Sequence, residues 1–247
     1  MKYILTYLIF FIISVSVFSQ PVVILAGGNF GGAIPDTKVG NSTGSGGIGF
    51  IVGAGIDFKA GDRFYISPSL SYVARRFSYE SHQTKDTVVE IEFQGSTAHI
   101  PTYYTANVFG NVFTHNIDLS VNVNYLIRER FLLNAGASGK YAFAGNDNTH
   151  IVVTIGEGGI IDDIITDQNN WNKINRFDVG FDLGASFLLS DDFTLLVSGE
   201  RSLTRFYNAG YMKTESGGPV SFYYTAMIIK LIYSVNLHNP KFPASSI

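Results

Sequence analysis

The nine residues from Ile117 to Tyr125, Ile-Asp-Leu-Ser-Val-Asn-Val-Asn-Tyr, alternate without a break. Ile117, Leu119, Val121, Val123 and Tyr125 fall on one side, and Asp118, Ser120, Asn122 and Asn124 on the other. A period of two requires an extended backbone with one oily and one wet face. That length is also close to what a tilted strand needs to cross a hydrocarbon layer. The fold therefore turns on which face points outward, because that choice separates a membrane barrel from a soluble one.

The same period recurs along the chain. Gly49 to Phe58 sets Phe50, Val52, Ala54, Ile56 and Phe58 against Gly49, Ile51, Gly53, Gly55 and Asp57. After a tight turn at 59–62, Phe64 to about Phe77 sets Phe64, Ile66, Pro68, Leu70 and Tyr72 against Tyr65 and three serines. Pro68 cannot donate to a ladder, so a bulge is expected there. Phe131 to Phe143, Phe177 to Phe187, a strand from Phe193 through Leu203, and Tyr223 to Val235 repeat the pattern. Val22 to Phe30 is apolar and glycine-rich on both faces, which leaves its facing open. Gly31 to Gly47 and Asn208 to Val220 read as loops. Residues 78–112 read as strand extensions around a polar tip, with a weak alternation of Val89, Ile91 and Phe93 against Glu90 and Glu92, and 145–176 as a second long, largely polar and acidic excursion. The result is eight strands, with short turns near 60, 128 and 191 and long loops near 40, 95, 160 and 214. Such regularity describes an up-and-down meander whose two ends face different environments.

Two observations point the oily face outward. Phe58 and Phe64, Tyr125 and Phe131, and Phe187 and Phe193 flank the three short turns, and Tyr233 lies near the end of the last strand. All are on the oily register, so they form a ring at one height, as expected of a girdle at a membrane interface. The polar face is built of Gly, Ser and Asn with scattered charges: Asp57, Asp118, Lys140, Asp178, Asp182, Glu200 and Lys230. Small residues suit the crowded inside of a narrow barrel, where isolated charges can pair across it. Only 15% of residues are charged, against about a quarter in soluble domains, which also disfavours a soluble exterior. Arg201 falls on the oily register as an exception, well up from the short turn, at a height from which it can snorkel to the outer interface.

Lys2, the apolar run Tyr3 to Phe18 and the small pair Val17 and Ser19 make residues 1–19 a cleavable export signal. Residues 20–236 are then the barrel and 237–247 a tail. With no cysteine there is no disulfide, thiolate zinc site or lipid anchor. A formal charge of −3 gives no nucleic-acid footprint.

The interior charges admit a transport pathway or proton relay, but an eight-stranded lumen is just wide enough for side chains to fill, so a salt-bridged plug is expected. His82, His99, His115, His150 and His238 show no metal-ligand spacing. His115 lacks the same-face serine that a lipid hydrolase would need. Gly27 to Gly32 resembles a phosphate loop, yet no helix follows it. The Val88 to Phe93 segment and the acids Asp162 and Asp163 are candidate binding surfaces on loops. No catalytic, cofactor or metal site is expected.

The export signal ending Val-Phe-Ser-Gln20, the strand Leu-Ala-Gly-Gly-Asn-Phe and the turn Phe-Lys-Ala-Gly-Asp-Arg-Phe leading to Ile-Ser-Pro-Ser-Leu carry a resemblance. Over Val22 to Val235 the chain resembles the small PorT-like outer-membrane barrels of Bacteroidota. The resemblance implies an outer-membrane location and, for some relatives, a part in protein secretion. The expected molecule is an all-β, eight-stranded antiparallel up-and-down transmembrane barrel, monomeric and non-enzymatic. Its partners are outer-membrane lipid and a surface or secretion-system protein met through the loops. A narrow pore for ions or small solutes and an accessory secretion barrel are the alternatives.

Overall fold

A computed structural model describes residues 21–35, 42–93, 96–157, 160–207 and 221–235. The expected export signal, the tail, and the loops near 40 and 214 lie outside the described residues, wholly or in their central parts. His99, His238, Asp162, Asp163 and the Val88 to Phe93 side chains also lie outside what is described.

The strands are β1 (Val22–Pro35), β2 (Ser42–Ile56), β3 (Phe58–Lys59), β4 (Phe64–Phe93), β5 (Ser96–Arg128), β6 (Phe131–Glu157), β7 (Ile160–Asn169), β8 (Phe177–Leu188), β9 (Phe193–Ser202) and β10 (Phe222–Val235). All pairings between them are antiparallel. Chain order is followed around the ring β1, β2, β4, β5, β6, β8, β9, β10, and β10 closes it against β1 from Val22↔Val235 to Pro35↔Phe222. That is the eight-stranded up-and-down barrel. β3 continues the line of β2, and among the described residues β7 pairs with β6 alone.

Closure satisfies the backbone in a medium that offers no water, and a closed sheet has no edge. The outward face then carries the oil. Ile117, Leu119, Val121 and Val123 are exposed, while Asp118 and Ser120 are buried. β1, whose facing alternation left open, turns Val23, Leu25, Asn29 and Ala33 inward and Ile24, Phe30 and Ile34 outward. On that inner face Leu25 and Ala33 join Ile51, Val73, Ala226 and Ile228 in one buried cluster.

Pro68 corrects an expectation. The register from β4 to β5 runs through Pro68↔Val121 without a shift, so no bulge accommodates it. The interruption lies on its other side, where β2 ends at Ile56 and pairing resumes at Phe58↔Ile66. The Asp57 amide beside that break faces β1 and donates to the Pro21 carbonyl at 3.2 Å, continuing the Val22↔Ile56 register.

The strand extensions expected over 78–112 are present, and the described parts of the expected loop 31–47 and of the excursion 145–176 are largely strand as well. β1 continues to Pro35 and β2 starts at Ser42, because β10 and β4 supply partners to residues of low strand propensity. β4 and β5 remain paired up to Phe93↔Ser96, whereas β2 stops at Ser42↔Ser81. β6 follows β5 to Tyr103↔Gly156, and β7 follows β6 to Glu157↔Ile160. A four-stranded wall, β4–β5–β6–β7, therefore stands above one end of the barrel.

The facing can be tested by position. Val121→Lys places a cation on the lipid face, at a cost of about 2–4 kcal/mol at the midplane. It should block the heat-modifiable gel shift of the folded barrel, whereas the neighbouring Asn122→Ser should retain it.

Candidate functional site

Inside the barrel the inward registers build two layers. The lower is ionic. Arg75 of β4 donates to Asp178 of β8 at 2.7 Å and to Glu200 of β9. Lys140 of β6 lies 3.0 Å from Glu200 and 3.8 Å from Asp118 of β5. Asp178 also accepts from Ser202 at 2.8 Å and Thr204 at 2.7 Å. Arg75, Lys140, Asp118 and Glu200 are buried. Charges removed from water this far hold only as a set, each offsetting the desolvation of the others.

Of the seven charges anticipated, four join this set directly: Asp118, Lys140, Asp178 and Glu200. Asp182 faces Lys230 and Lys140 electrostatically, and Asp57 bonds Ser67 nearer the short-turn end. The central member, Arg75, escaped sequence reasoning. It continues the parity of Ser69, Ser71 and Val73, so carrying the alternation past Tyr72 finds it.

The upper layer is aromatic. Phe77 and Tyr79 of β4, Phe222 and Tyr224 of β10, and Phe206 and Tyr207 just past β9 belong to one buried cluster. Phe77 meets Phe206 edge-on at 4.8 Å between centroids, and Tyr79 meets Tyr207 at 5.8 Å. The chain after β9 is tied across the opening: the Phe206 amide donates to the Phe222 carbonyl at 2.7 Å, and the Asn175 amide to the Phe206 carbonyl at 2.8 Å. Each fully buried ring contributes roughly 1.5–3 kcal/mol. Gly110 makes room for Tyr79, since a Cβ there would drive into the ring. Arg75 joins the layers, its guanidinium 4.0 Å from the Tyr224 ring centre. Between the layers remains a cavity of about 10 Å³, lined by Arg75, Asp178, Ser202, Thr204, Phe206 and Tyr224 among others. That is room for roughly one water.

Asp147 fastens the plug. It accepts from Tyr207 at 3.0 Å, Thr149 at 3.1 Å and Tyr79 at 3.4 Å, and is fully buried. Its inward position depends on a bulge: His115 faces Ala144 but Asn116 faces Ala142, so Phe143 is an extra residue. Parity flips there, sending Ala142 and Asp147 to the same side. Burial pushes the Asp147 carboxyl above its ordinary range, and pushes the Tyr207 phenol well up too.

On the outside, the anticipated girdle is assembled as cross-strand pairs. Phe64 faces Tyr125 with centroids 4.9 Å apart, Phe193 faces Tyr233 at the same spacing, and Phe131 is in register with Phe187. Phe58 is in register with Ile66. An upper collar gathers Tyr72, Phe113, His115 and Phe143, where the Tyr72 hydroxyl bonds the His115 ring. His82 and His150 bond Asn107 and Asp167 on the wall.

A sheet closed on itself, oily outside and filled inside, defines a transmembrane β-barrel. The family model for the outer membrane protein beta-barrel domain matches residues 18–208, and the chain belongs to that family of outer-membrane proteins. Comparison with curated proteins found no match. Among solved structures, the chain is similar to the attachment invasion locus protein Ail of Yersinia pestis, at 10% identity, covering 88% of this chain and 99% of that one, with a TM-score of 0.39. It is also similar to Neisserial surface protein A, at 10% identity, 86% and 96% coverage and a TM-score of 0.40. The outer membrane protease OmpT of Escherichia coli follows at 9% identity, 87% and 97% coverage and a TM-score of 0.36.

Two outcomes follow from this geometry. Arg75→Leu leaves the buried Asp178 without its cation and Glu200 with Lys140 alone, and should cost about 3–5 kcal/mol in urea unfolding from micelles. Adding Asp178→Asn, which removes the carboxylate left without a cation, should recover part of it. Second, the Asp147 carboxyl has a folded-state pKa above its ordinary 3.8. The folded state thus holds more protons between the two values, and this group's contribution to stability falls as pH rises through the folded one. Thermal unfolding from about pH 4 upward should show that slope, and Asp147→Asn should flatten it relative to wild type.

Proposed function

We propose that this chain is a closed, non-enzymatic outer-membrane barrel of the PorT-like group, exported by a signal cleaved after Ser19, that presents its four-stranded wall to a protein partner. The observation that carries this reading is the double closure of the lumen, ionic below and aromatic above. A solute path would have to displace both Arg75 with its carboxylates and the rings around Tyr207. The wall supports the presenting role: among the described residues, the pairing of β2 with β4 stops at Ser42↔Ser81, while β4 with β5 and β6 with β7 continue beyond it. The margins of such a projecting sheet are where an added strand would dock. His115, bonded to Tyr72 among collar rings, serves as an interfacial anchor in this reading.

Planar-bilayer recording tests it. Wild type should show no steady open channels, and steady conductance would overturn the closed-barrel reading in favour of a pore. Phe206→Ala with Tyr207→Ala should remain closed, because the ionic layer persists. Adding Arg75→Ser to that pair should open a conductance.

A further inference from the structure

Above the lower aromatic ring, the first charges met on the outward face among the described residues are both guanidiniums, Arg76 on β4 and Arg201 on β9. The next, Glu80, stands two outward positions above Arg76. Arg201 is exposed in the lipid-facing register. It donates to Thr225 at 3.3 Å and lies 5.9 Å from the Tyr223 ring centre, and among the described residues no carboxylate pairs with it. Eight residues separate it from Phe193 in the girdle, a climb of about 20 Å for a tilted strand. With its own reach, the guanidinium arrives near the top of an apolar band about 25 Å tall.

The surroundings are of the same sign. Arg205 lies just past the end of β9 and is exposed, and its carbonyl accepts from the Asn175 side chain at 3.3 Å. Arg176, the next residue, is exposed and sits 5.5 Å from the Trp171 ring centre, with Lys173 in the short 3-10 turn 171–173. Asp178, the carboxylate that β8 carries nearest to them, points inward and is held by Arg75. Four cations thus gather at the outer end of the β8–β9 seam with that acid withdrawn into the lumen. A lipid-facing cation without a protein counter-ion is costly in hydrocarbon. It is stabilised where an anionic headgroup supplies the partner, and a guanidinium fork suits phosphate.

We propose that the outer ends of β8, β9 and β10, centred on Arg201 with Arg205 and Arg176, bind a phosphate group of an outer-leaflet glycolipid. Tyr223 and Thr225 hold the guanidinium at headgroup height. This inference rests on the outward charge pattern and is independent of whether the lumen conducts.

The full-length barrel in nanodiscs is titrated with bis-phosphorylated lipid A and with the same lipid dephosphorylated, and bound lipid is read by native mass spectrometry. Wild type should retain the phosphorylated form roughly tenfold better. Arg201→Gln with Arg205→Gln should erase that preference and Arg201→Lys should reduce it, while Arg76→Gln on the far side should leave it. Equal retention of the two lipids by wild type overturns the proposal, whatever the folding of the variants. So does an undiminished preference in a double variant that keeps its heat-modifiable shift. Millimolar inorganic phosphate should not displace the lipid; displacement would make the site one for soluble anions and overturn the lipid assignment.

Discussion

Every backbone amide and carbonyl in the hydrocarbon must be paired within the protein, and this requirement shapes the rest of the molecule. A sheet meets it by closing, and here the closing seam is the long β1–β10 ladder. Closing with eight strands leaves an interior only wide enough for side chains. Glycine, serine and asparagine on the inward register are consequences of that width. Gly136 shows the crowding: a Cβ there would collide with both Asn122 and Asp182.

Within so narrow a lumen, Arg75 is the piece that couples one layer to the next. Its two donor nitrogens reach acids on β8 and β9, and its planar face rests against Tyr224. One side chain from β4 therefore ties together three other strands. Lysine at this position would supply the charge but not the fork and the flat face. The contact of the Arg75 guanidinium with Tyr224 thus couples the ionic layer to the aromatic plug, and loosening either exposes the cavity between them.

Much of this was written in the alternation. The fold class, the outward oil, the paired girdle residues and four members of the ion cluster follow from parity and from aromatics flanking short turns. The remainder depends on information that parity does not carry. A bulge at Phe143 reverses which residues of β6 face inward, so Asp147 cannot be placed by counting from Phe131. Phe206 and Tyr207 lie past the end of a strand and are brought in by backbone bonds to Phe222 and Asn175. Pro68 signalled an irregular ladder correctly but not which neighbour would yield. The excursion at 145–176 and the ends of the loop 31–47 became strands because neighbours offered partners, which propensity read one segment at a time does not register.

The two ends of the outward face also differ in chemistry. The lower rim is marked by aromatic pairs, with Lys59, Arg63, Arg128 and Arg130 at or beside the turns themselves. At the upper rim, arginines at Arg76 and Arg201 enter the wall itself. Aromatic rings suit any interface, since their amphipathic bodies ask only for a boundary between oil and water. An arginine set into the wall asks for more, because its charge must be met at a fixed height. The lower half of the barrel is therefore adapted to a boundary and the upper half to a charged one, which is the asymmetry expected where long extracellular strands mark the outer side.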